Sequence, residues 1–375
     1  MPARQATATR TAASELNLNE LLRWTVEQRG SDLHLKVGSP PHVRVDGHLM
    51  PTPFEPVSAR DTEKTAYAIM PKARADDFAT GNEADFAYSV SGLGRFRVNV
   101  FRQRGSVGLV FRRVLPGTPS FESLGLPAVV RRLAEEPRGM ILVTGPTGSG
   151  KTTTIAAMLD HINETRAVNV VTIEDPIEVL HTDKRAIINQ REIGTDTADY
   201  AEAMKRVLRQ DPDVIFIGEM RDPETVWAAL SAAETGHLVL STLHTTNATE
   251  TVNRIVDFFP PFQQKQVRLT LASSLVGVVS QRLLERADGK GRVPAVEVLV
   301  MTGRIFDRIV DPEQGQESIE DIVADGEYYG MQTFDQSLFA LYKNGLVGLR
   351  DAMAAASHPH DFRIALQQAG LDTTL

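Results

Sequence analysis

The sequence predicts an α/β protein with two domains, a smaller α+β domain followed by a larger domain built on a parallel sheet. From residue 140 onward, short apolar runs alternate with helical patterns, which is typical of parallel strands covered by helices. One strand–helix pair in this region encloses a Gly-rich turn. Residues 115–120, L-P-G-T-P-S, have the composition of a linker. We therefore predict a tail over residues 1–15, an N-terminal domain over 16–114, a linker over 115–120 and a C-terminal domain over 121–375.

The ends and the apolar stretches of the chain bear on its relation to membranes. Residues 1–15 are rich in Thr, Ala and Arg and have no apolar core, so we predict a disordered tail rather than a signal peptide. The longest apolar stretches, such as residues 269–279, are shorter than the roughly 20 residues that span a bilayer. We therefore predict no direct membrane insertion, and contact with a membrane would run through a partner.

The composition is that of an ordinary globular protein. Of 375 residues, 42% are hydrophobic and 23% are charged, which is enough for two or three domains with cores of their own. The formal net charge of −8 argues against nonspecific nucleic-acid binding. The chain has no cysteine, which excludes disulfides and cysteine-ligated zinc or iron–sulfur sites.

The N-terminal domain is predicted from helical spacing and alternation. Leucines at helical spacing predict a first helix that ends at Gly30. The next residues alternate polar and apolar side chains, and this places His34 on the solvent side of a strand rather than in a metal site. The predicted elements after the first helix are strands at 31–37 and 42–47, a helical stretch at 58–78, and strands at 85–90, 94–101 and 107–114.

The second half of this domain is dense in arginine. The residues are Arg95, Arg97, Arg102, Arg104, Arg112 and Arg113. Arginines on strands usually cover a solvated face of the sheet. Alternatively, some of them point across a subunit boundary at a neighbour's phosphates, and the residues alone leave both interpretations open.

Residues 145–152 read G-P-T-G-S-G-K-T and match the phosphate-binding motif G-x-x-x-x-G-K-[ST] in full. An apolar strand pattern precedes the motif and a helical pattern follows it, so its backbone N–H groups would face a ligand at the positive end of a helix. Lys151 would reach the β- and γ-phosphates, and the hydroxyl of Thr152 would ligate Mg²⁺. The predicted nucleotide-binding residues are Gly145, Pro146, Thr147, Gly148, Ser149, Gly150, Lys151, Thr152 and Thr153.

Acidic residues follow two further predicted strands of the C-terminal domain. Ligands of parallel sheets bind at the carboxyl ends of the strands. The apolar run at residues 214–217 resembles a Walker B strand and precedes Glu219, which we expect to orient or deprotonate the attacking water. Glu174 and Glu178 follow the strand predicted at 168–173, where their carboxylates would act on Mg²⁺ through its waters.

Two histidines flank the strand pattern that follows the Walker B segment. These are His237 and His244. Either could sense the γ-phosphate through a hydrogen bond, or both could be neutral core histidines. Composition and spacing do not choose between these interpretations.

The last third of the chain has no motif of comparable strength. From residue 249 onward the pattern predicts mainly helices. One strand, predicted at residues 293–300, joins the core sheet, and a helical extension begins at about residue 301.

Taken together, these motifs resemble those of type IV pilus retraction ATPases of the PilT kind, within the superfamily of secretion and pilus motors. The matching segments are residues 30–35, 94–99, 145–152, 172–178 (the family's Asp box), 217–225 (Walker B), 234–246 (His box) and 330–336. The resemblance runs from about Leu18 to Leu349. It departs at residues 303–310, G-R-I-F-D-R-I-V, where retraction motors often carry a motif of the form A-I-R-N-L-I-R.

The resemblance implies a PAS-like N-terminal domain, a RecA-like C-terminal ATPase domain, and a homohexameric ring that binds ATP and Mg²⁺ between the two domains. It implies that Glu219 is the catalytic base and that Glu174 and His237 support it. Arg95, Arg97 and Arg112 become candidates for the family's phosphate-facing arginines. The implied partners are a pilus platform protein of the inner membrane and a related motor ATPase, which would place this protein in the cytoplasm, peripheral to that membrane.

Four alternatives to a retraction motor remain. Pilus or secretion assembly ATPases typically add a larger N-terminal domain and a four-cysteine zinc insertion, and this chain has no cysteine. An accessory retraction motor of the PilU kind would share the active site. An NTP-binding scaffold with little turnover would not need Glu219. A nucleic-acid motor is disfavoured by the charge and by the lack of a basic–aromatic groove pattern.

Overall fold

The computed structural model describes residues 16–45, 47–114, 117–313 and 316–374, and of Ala73 only the backbone. The chain divides into two compact units, one up to Pro116 and one from Gly117 onward. The predicted tail over residues 1–15, and Leu115 and Pro116 of the predicted linker, lie outside the described residues.

The N-terminal unit is an α+β fold with one antiparallel sheet of six strands, in the order β3-β2-β1-β6-β5-β4. Leucines of the first helix and Phe78 of the third pack with the apolar side chains of one sheet face. Its elements are α1 (Leu18–Glu27), β1 (Asp32–Leu35), β2 (His42–Val45), β3 (His48–Pro51), α2 (Ala59–Ile69), α3 (Lys72–Gly81), β4 (Glu83–Val90), β5 (Gly94–Gln103) and β6 (Ser106–Val114).

The helical stretch predicted at residues 58–78 is two helices rather than one. α2 ends at Ile69, and Met70 has the extended backbone angles φ −75° and ψ 128°. Pro71, which follows, has φ −58° and precedes α3. Proline disfavours the helical conformation of the residue before it and has no N–H for the helix ladder, so the chain bends at Met70.

Strand alternation in β5 separates the core of this unit from an arginine-bearing face. Phe96 and Val98 are buried in the core. Arg95 and Arg97 alternate with them and lie on the opposite face of the sheet. Arg112 of β6 is the register partner of Arg97 and therefore lies on that same outer face.

His34, predicted as a solvent-facing strand histidine, is partly buried on the outer face. Its Nε2 atom is buried without a hydrogen-bond partner, and it lies opposite His42 in the β1–β2 ladder. Burial lowers the pKa of His34, although the nearby Asp32 opposes this shift. Both histidines line an open cleft of about 570 Å³ within this unit.

The C-terminal unit is built on a seven-stranded sheet in the order β13-β12-β7-β11-β10-β8-β9. All neighbours are parallel except the β12–β13 pair. Its strands are β7 (Gly139–Thr144), β8 (Asn169–Glu174), β9 (Ile187–Glu192), β10 (Val214–Ile217), β11 (Leu238–Leu243), β12 (Leu275–Glu285) and β13 (Arg292–Val300).

Helices cover both faces of this sheet, and each face has an apolar core of its own. The four central strands are fully buried except for Asn169 at the start of β8, and such strands read as continuous apolar runs. The helices are α4 (Phe121–Leu124), α5 (Ala128–Ala134), α6 (Lys151–Thr165), α7 (Tyr200–Val207), α8 (Pro223–Glu234), α9 (Ala248–Asp257), α10 (Pro261–Ser274), α11 (Gly303–Val310), α12 (Ile319–Ala324), α13 (Phe334–Lys343), α14 (Leu349–Ala355) and α15 (Pro359–Gln368).

The prediction of mainly helical structure beyond residue 249 is wrong for β12. This eleven-residue strand starts at Leu275, directly after the last residue of α10. It pairs with β7 on one side and β13 on the other, so the strand predicted at 293–300 joins the core sheet through β12. The last three helices pack against this β12–β13 hairpin in a separate apolar cluster.

Within the described part of the chain, no helix combines the length and the apolar character needed to cross a membrane.

Candidate active site

The carboxyl ends of four parallel strands surround a cleft of about 530 Å³ in the C-terminal unit. The phosphate-binding loop at residues 145–152, called the P-loop below, follows β7. The loops after β8, β10 and β11 begin at the same edge of the sheet. The charged and polar side chains lining the cleft include Lys151, Thr152, Glu174, Glu178, Tyr200, Glu219, Arg221 and His244. The sheet thus brings the P-loop and the three predicted acids, Glu174, Glu178 and Glu219, to one place.

The P-loop has a backbone shape that requires glycine. Gly145, Gly148 and Gly150 have φ angles of +141°, +80° and +95°, a region that residues with a Cβ rarely adopt. A Cβ on Gly145 would also lie 2.4 Å from the carbonyl oxygen of Gln281 in β12. The loop leads directly into α6, a helix of fifteen residues that starts at Lys151 and whose amino terminus favours anions.

Lys151 is hydrogen-bonded to the loop that it terminates. Its Nζ donates to the carbonyl oxygens of Gly145 at 2.7 Å and Pro146 at 3.1 Å. Burial lowers the pKa of Lys151, and the charges of Glu219 and Glu178 oppose this shift. The Oγ of Ser149 is buried without a partner. A cation, an orphaned hydroxyl and a helix amino terminus fit the phosphates of a nucleotide.

Glu219 is held on both sides of its carboxylate. Arg221 donates to Oε2 from Nε at 2.9 Å and from Nη2 at 2.7 Å. Nε2 of His244 lies 3.1 Å from Oε1. The Glu219 hydrogen bond raises the pKa of Arg221. The carboxylate is therefore oriented within the cleft, where a base for an attacking water must lie.

Glu174 is a buried acid at the end of β8. It is 6% exposed, and burial raises its pKa to about 7. Thr172 donates to its Oε1 at 2.6 Å and Gln190 donates to the same oxygen at 3.1 Å. These two hydrogen bonds lower the pKa of Glu174 and partly offset the effect of burial. Tyr200 also lines the cleft, and burial raises the pKa of its hydroxyl.

The structure places the two histidines at opposite ends of β11. His237 precedes the strand, and its Nδ1 lies 2.9 Å from the Ala232 carbonyl oxygen. His244 follows the strand and lines the cleft. Since the parallel strands present their carboxyl ends to the P-loop, His237 is not brought to this cleft within the chain. The histidine beside Glu219 is His244.

Arg95, Arg97 and Arg112 belong to the N-terminal unit, whereas Lys151 and Glu219 belong to the C-terminal unit. Arg112 donates from Nε to Oδ1 of Asp32 at 2.8 Å, and its side chain is 69% exposed. Burial opposes ionisation of Asp32, but hydrogen bonds from Ser31 and Arg112 outweigh it and lower the pKa of that carboxyl. Arg112 is thereby held on the outer face of the sheet.

The residues at the P-loop fit Mg²⁺ bound with a nucleotide. Thr152 supplies a hydroxyl at the start of α6, and Glu174 and Glu178 line the same cleft. In the described ranges, no group of three or more His, Asp or Glu side chains could hold a metal ion by itself. Mg²⁺ at phosphates is usually bound through one or two protein ligands, phosphate oxygens and water.

The two buried glutamates with raised pKa values lead to a prediction on stability. Glu174 and Glu297 both have a pKa of about 7, against 4.5 for the ordinary side chain, and burial is the main cause. Between these values the folded protein binds more protons than the unfolded chain, so this contribution to the free energy of unfolding falls as pH rises toward 7. Glu297→Gln should therefore be more stable than the wild type by about 3 kcal/mol at pH 8 and unchanged below pH 4.5.

Urea denaturation of wild type and Glu297→Gln across this pH range measures the difference. Glu297 accepts the Ala248 N–H at 2.6 Å, and the amide oxygen of glutamine can accept the same bond. Glu285→Gln, an exposed position on β12, is the matched control and should follow the wild type at every pH. Equal stability of Glu297→Gln and wild type at pH 8 would contradict the prediction.

Comparisons with known proteins show which family the chain belongs to. The family described as "Type II/IV secretion system protein" matches residues 113–327. The chain is 43% identical over 347 residues to the "Type IV pilus retractation ATPase PilT" of Pseudomonas aeruginosa, covering 92% of this chain and 100% of that protein. It is 41% identical over 352 residues to the "Type IV pilus ATPase PilU" of the same organism, covering 94% of this chain and 92% of that protein.

A solved structure is similar over nearly the same length. It is described as "Crystal Structure of the Pilus Retraction Motor PilT and Bound ADP". The TM-score is 0.85 at 46% sequence identity, with 92% of this chain and 99% of that chain covered.

Proposed function

The chain belongs to the type II/IV secretion system protein family, and from this premise we propose that it is a motor that hydrolyses ATP to drive retraction of type IV pili. It is a P-loop ATPase of the PilT type, and the nucleotide site is the cleft described above. The observation that carries the proposal is the meeting of Lys151 and Glu219 at one edge of the sheet, in a chain that matches a retraction ATPase over that protein's full length.

The hydrolysis step follows from the positions of these side chains. We propose that Lys151 exchanges the carbonyls of Gly145 and Pro146 for the β- and γ-phosphates. Water attacks the γ-phosphorus, the bond to the β–γ bridging oxygen breaks, and Glu219 receives the proton of the water. His244 contacts Glu219 and would lie near the γ-phosphate. Mg²⁺, when bound, neutralises phosphate charge, and Thr152 together with Glu174 through water would hold it.

We propose further that the active protein is a homohexamer with active sites closed between subunits. Arg95, Arg97 and Arg112 lie on an outer sheet face of the N-terminal unit, which suits contact with a neighbour's nucleotide. Sites shared between unlike surfaces require a closed ring, and the number six comes from the resemblance to the family. In this proposal each subunit has an N-terminal domain that ends at residue 114 and a C-terminal domain that begins at residue 121.

The assembly can be measured directly. Light scattering at several protein concentrations with nucleotide present should give the mass of six chains of 41.2 kDa. Arg112→Ala should reduce turnover more than binding, because a charge-assisted contact to the transferred phosphate would be lost. Arg23→Ala, an exposed position on α1, is the control. A monomer with full activity at all concentrations would contradict the ring.

The proposed site of action is the cytoplasmic side of the inner membrane, at the base of a pilus. There the ring would act on a membrane-embedded platform protein, and a related motor ATPase is a second candidate partner. The relatives' names support action on a pilus, because PilT and PilU are both described as type IV pilus ATPases. The similar identities to PilT and PilU, 43% and 41%, favour an accessory retraction motor as the second candidate function.

Deletion of the gene, with pili imaged in living cells, distinguishes the candidates. Cells that extend pili but do not shorten them support the retraction motor. Pili that still shorten, but weakly, support the accessory motor. Loss of all surface pili supports an assembly motor, and unchanged pili support a scaffold. Phosphate release by the purified protein separates the scaffold from all motors.

A further inference from the structure

The loop that follows Glu174 is fastened to the edge strand β9 rather than to the centre of the sheet. β9 pairs in parallel with β8, and Gln190 lies beside Thr172 in the register. Gln190 and Glu192 project from the same side of β9, since they are two residues apart. Glu192 accepts the Ile177 N–H through Oε2 at 3.0 Å. The segment at residues 175–181 is thus bound by side chains of β9.

Gln190 makes three hydrogen bonds with one amide group. Its Nε2 donates to Glu174 Oε1 at 3.1 Å and to the Val179 carbonyl oxygen at 2.8 Å. Its Oε1 accepts the His181 N–H at 2.9 Å. Two acceptors and one donor fix the orientation of the amide, because a flipped amide would set its oxygen against the carboxylate and the carbonyl. The side chain therefore joins the acid and its loop.

We propose that Gln190 is a positioning residue for the ATPase reaction, which holds the Glu174 carboxylate and the loop at residues 175–181 in one fixed relation. This inference rests on the proposed function of the cleft. Gln190 need not touch the nucleotide, since it acts through Glu174. Two donors, from Thr172 and Gln190, converge on Oε1 of Glu174 and fix the position of that oxygen.

The other charged and titratable groups around Glu174 are retained in the variants that test this proposal. Lys151, Asp175, Glu178, Tyr200, Glu219 and Arg221 line the same cleft, and Glu192 is the register partner of Glu174. A change in turnover after substitution of Gln190 therefore reports the lost hydrogen bonds of its amide.

The first test compares kcat and the KM for ATP in wild type and Gln190→Leu. Loss of a hydrogen bond that positions Glu174 should lower kcat about five-fold and leave KM unchanged, because the P-loop is intact. Thr172→Val removes the other donor to Oε1 without touching the loop, so it should also lower kcat at unchanged KM. Asn189→Ala, on the opposite side of β9, should match the wild type.

The second test is hydrogen exchange of the His181 amide, which requires no turnover. Gln190→Leu should increase its exchange rate, and Thr172→Val should leave it unchanged. A wild-type kcat in Gln190→Leu, or a rise in KM at unchanged kcat, would overturn the positioning role of Gln190. Glu174→Gln with wild-type turnover would instead refute the proposed role of Glu174. The hydrogen-exchange measurement at His181 does not depend on that role.

Discussion

Replacement of Glu219 by glutamine is expected to lower ATP turnover by about 100-fold or more, because the attacking water loses its base. The geometry supports a selective effect. Arg221 donates to Oε2 and His244 contacts Oε1, and an amide keeps the shape of the side chain. Nucleotide binding through the P-loop should therefore persist in this variant.

Steady-state phosphate release and binding of a fluorescent ATP analogue measure the two properties separately. Glu224→Gln is a suitable control, since Glu224 lies on α8 and pairs with Lys205 on the surface. It should leave both properties unchanged. A Glu219→Gln protein that turns over ATP at the wild-type rate would show that another group accepts the proton.

Removal of the Lys151 side chain is expected to affect binding as well as turnover. The ammonium group is the cation of the P-loop, and a charge-assisted contact to phosphate contributes about 1.5–3 kcal/mol. Lys151→Ala should therefore weaken nucleotide affinity by about 10- to 100-fold and abolish measurable hydrolysis.

Titration calorimetry with ADP and with ATP checks the loss of affinity. Lys184→Ala is the matched control, because Lys184 pairs with Asp160 and Glu164 of the same helix α6, far along it from the P-loop. It should bind both nucleotides as the wild type does. Unchanged affinity in Lys151→Ala would contradict the assignment of the phosphate site.

The central strands of the C-terminal unit could be predicted from the sequence because burial on both faces makes them continuous apolar runs. β9 could not, because its sequence I-I-N-Q-R-E is largely polar and it is an edge strand defined by its pairing with β8. β12 follows α10 directly, and neither Ser274 nor Leu275 at this boundary is a Gly or Pro that would mark the end of the helix. A short apolar run of this kind does not distinguish a buried strand from a buried helix.

The sequence could predict those site residues that lie at the carboxyl ends of parallel strands. Lys151, Glu174 and Glu219 follow parallel strands, and the structure brings them to one cleft. The resemblance implied a supporting role for His237, but His237 precedes β11 in the structure, and the histidine that lines the cleft is His244, which follows the strand. Arg221 was not predicted, because its bond to Glu219 depends on the local turn between them. Gln190 was missed with its strand.

The contact between Gly145 and the Gln281 carbonyl has a mechanical consequence. β12 runs beside β7 and forms a wall of the P-loop, and its partner β13 completes a hairpin. The apolar cluster of that hairpin includes Leu284 and Val293 and continues into Phe334 of α13. Arg282 covers the Phe334 ring at 3.9 Å from its centroid. We therefore expect a force applied to the last three helices to reach the phosphate-binding loop through packed side chains and strand hydrogen bonds.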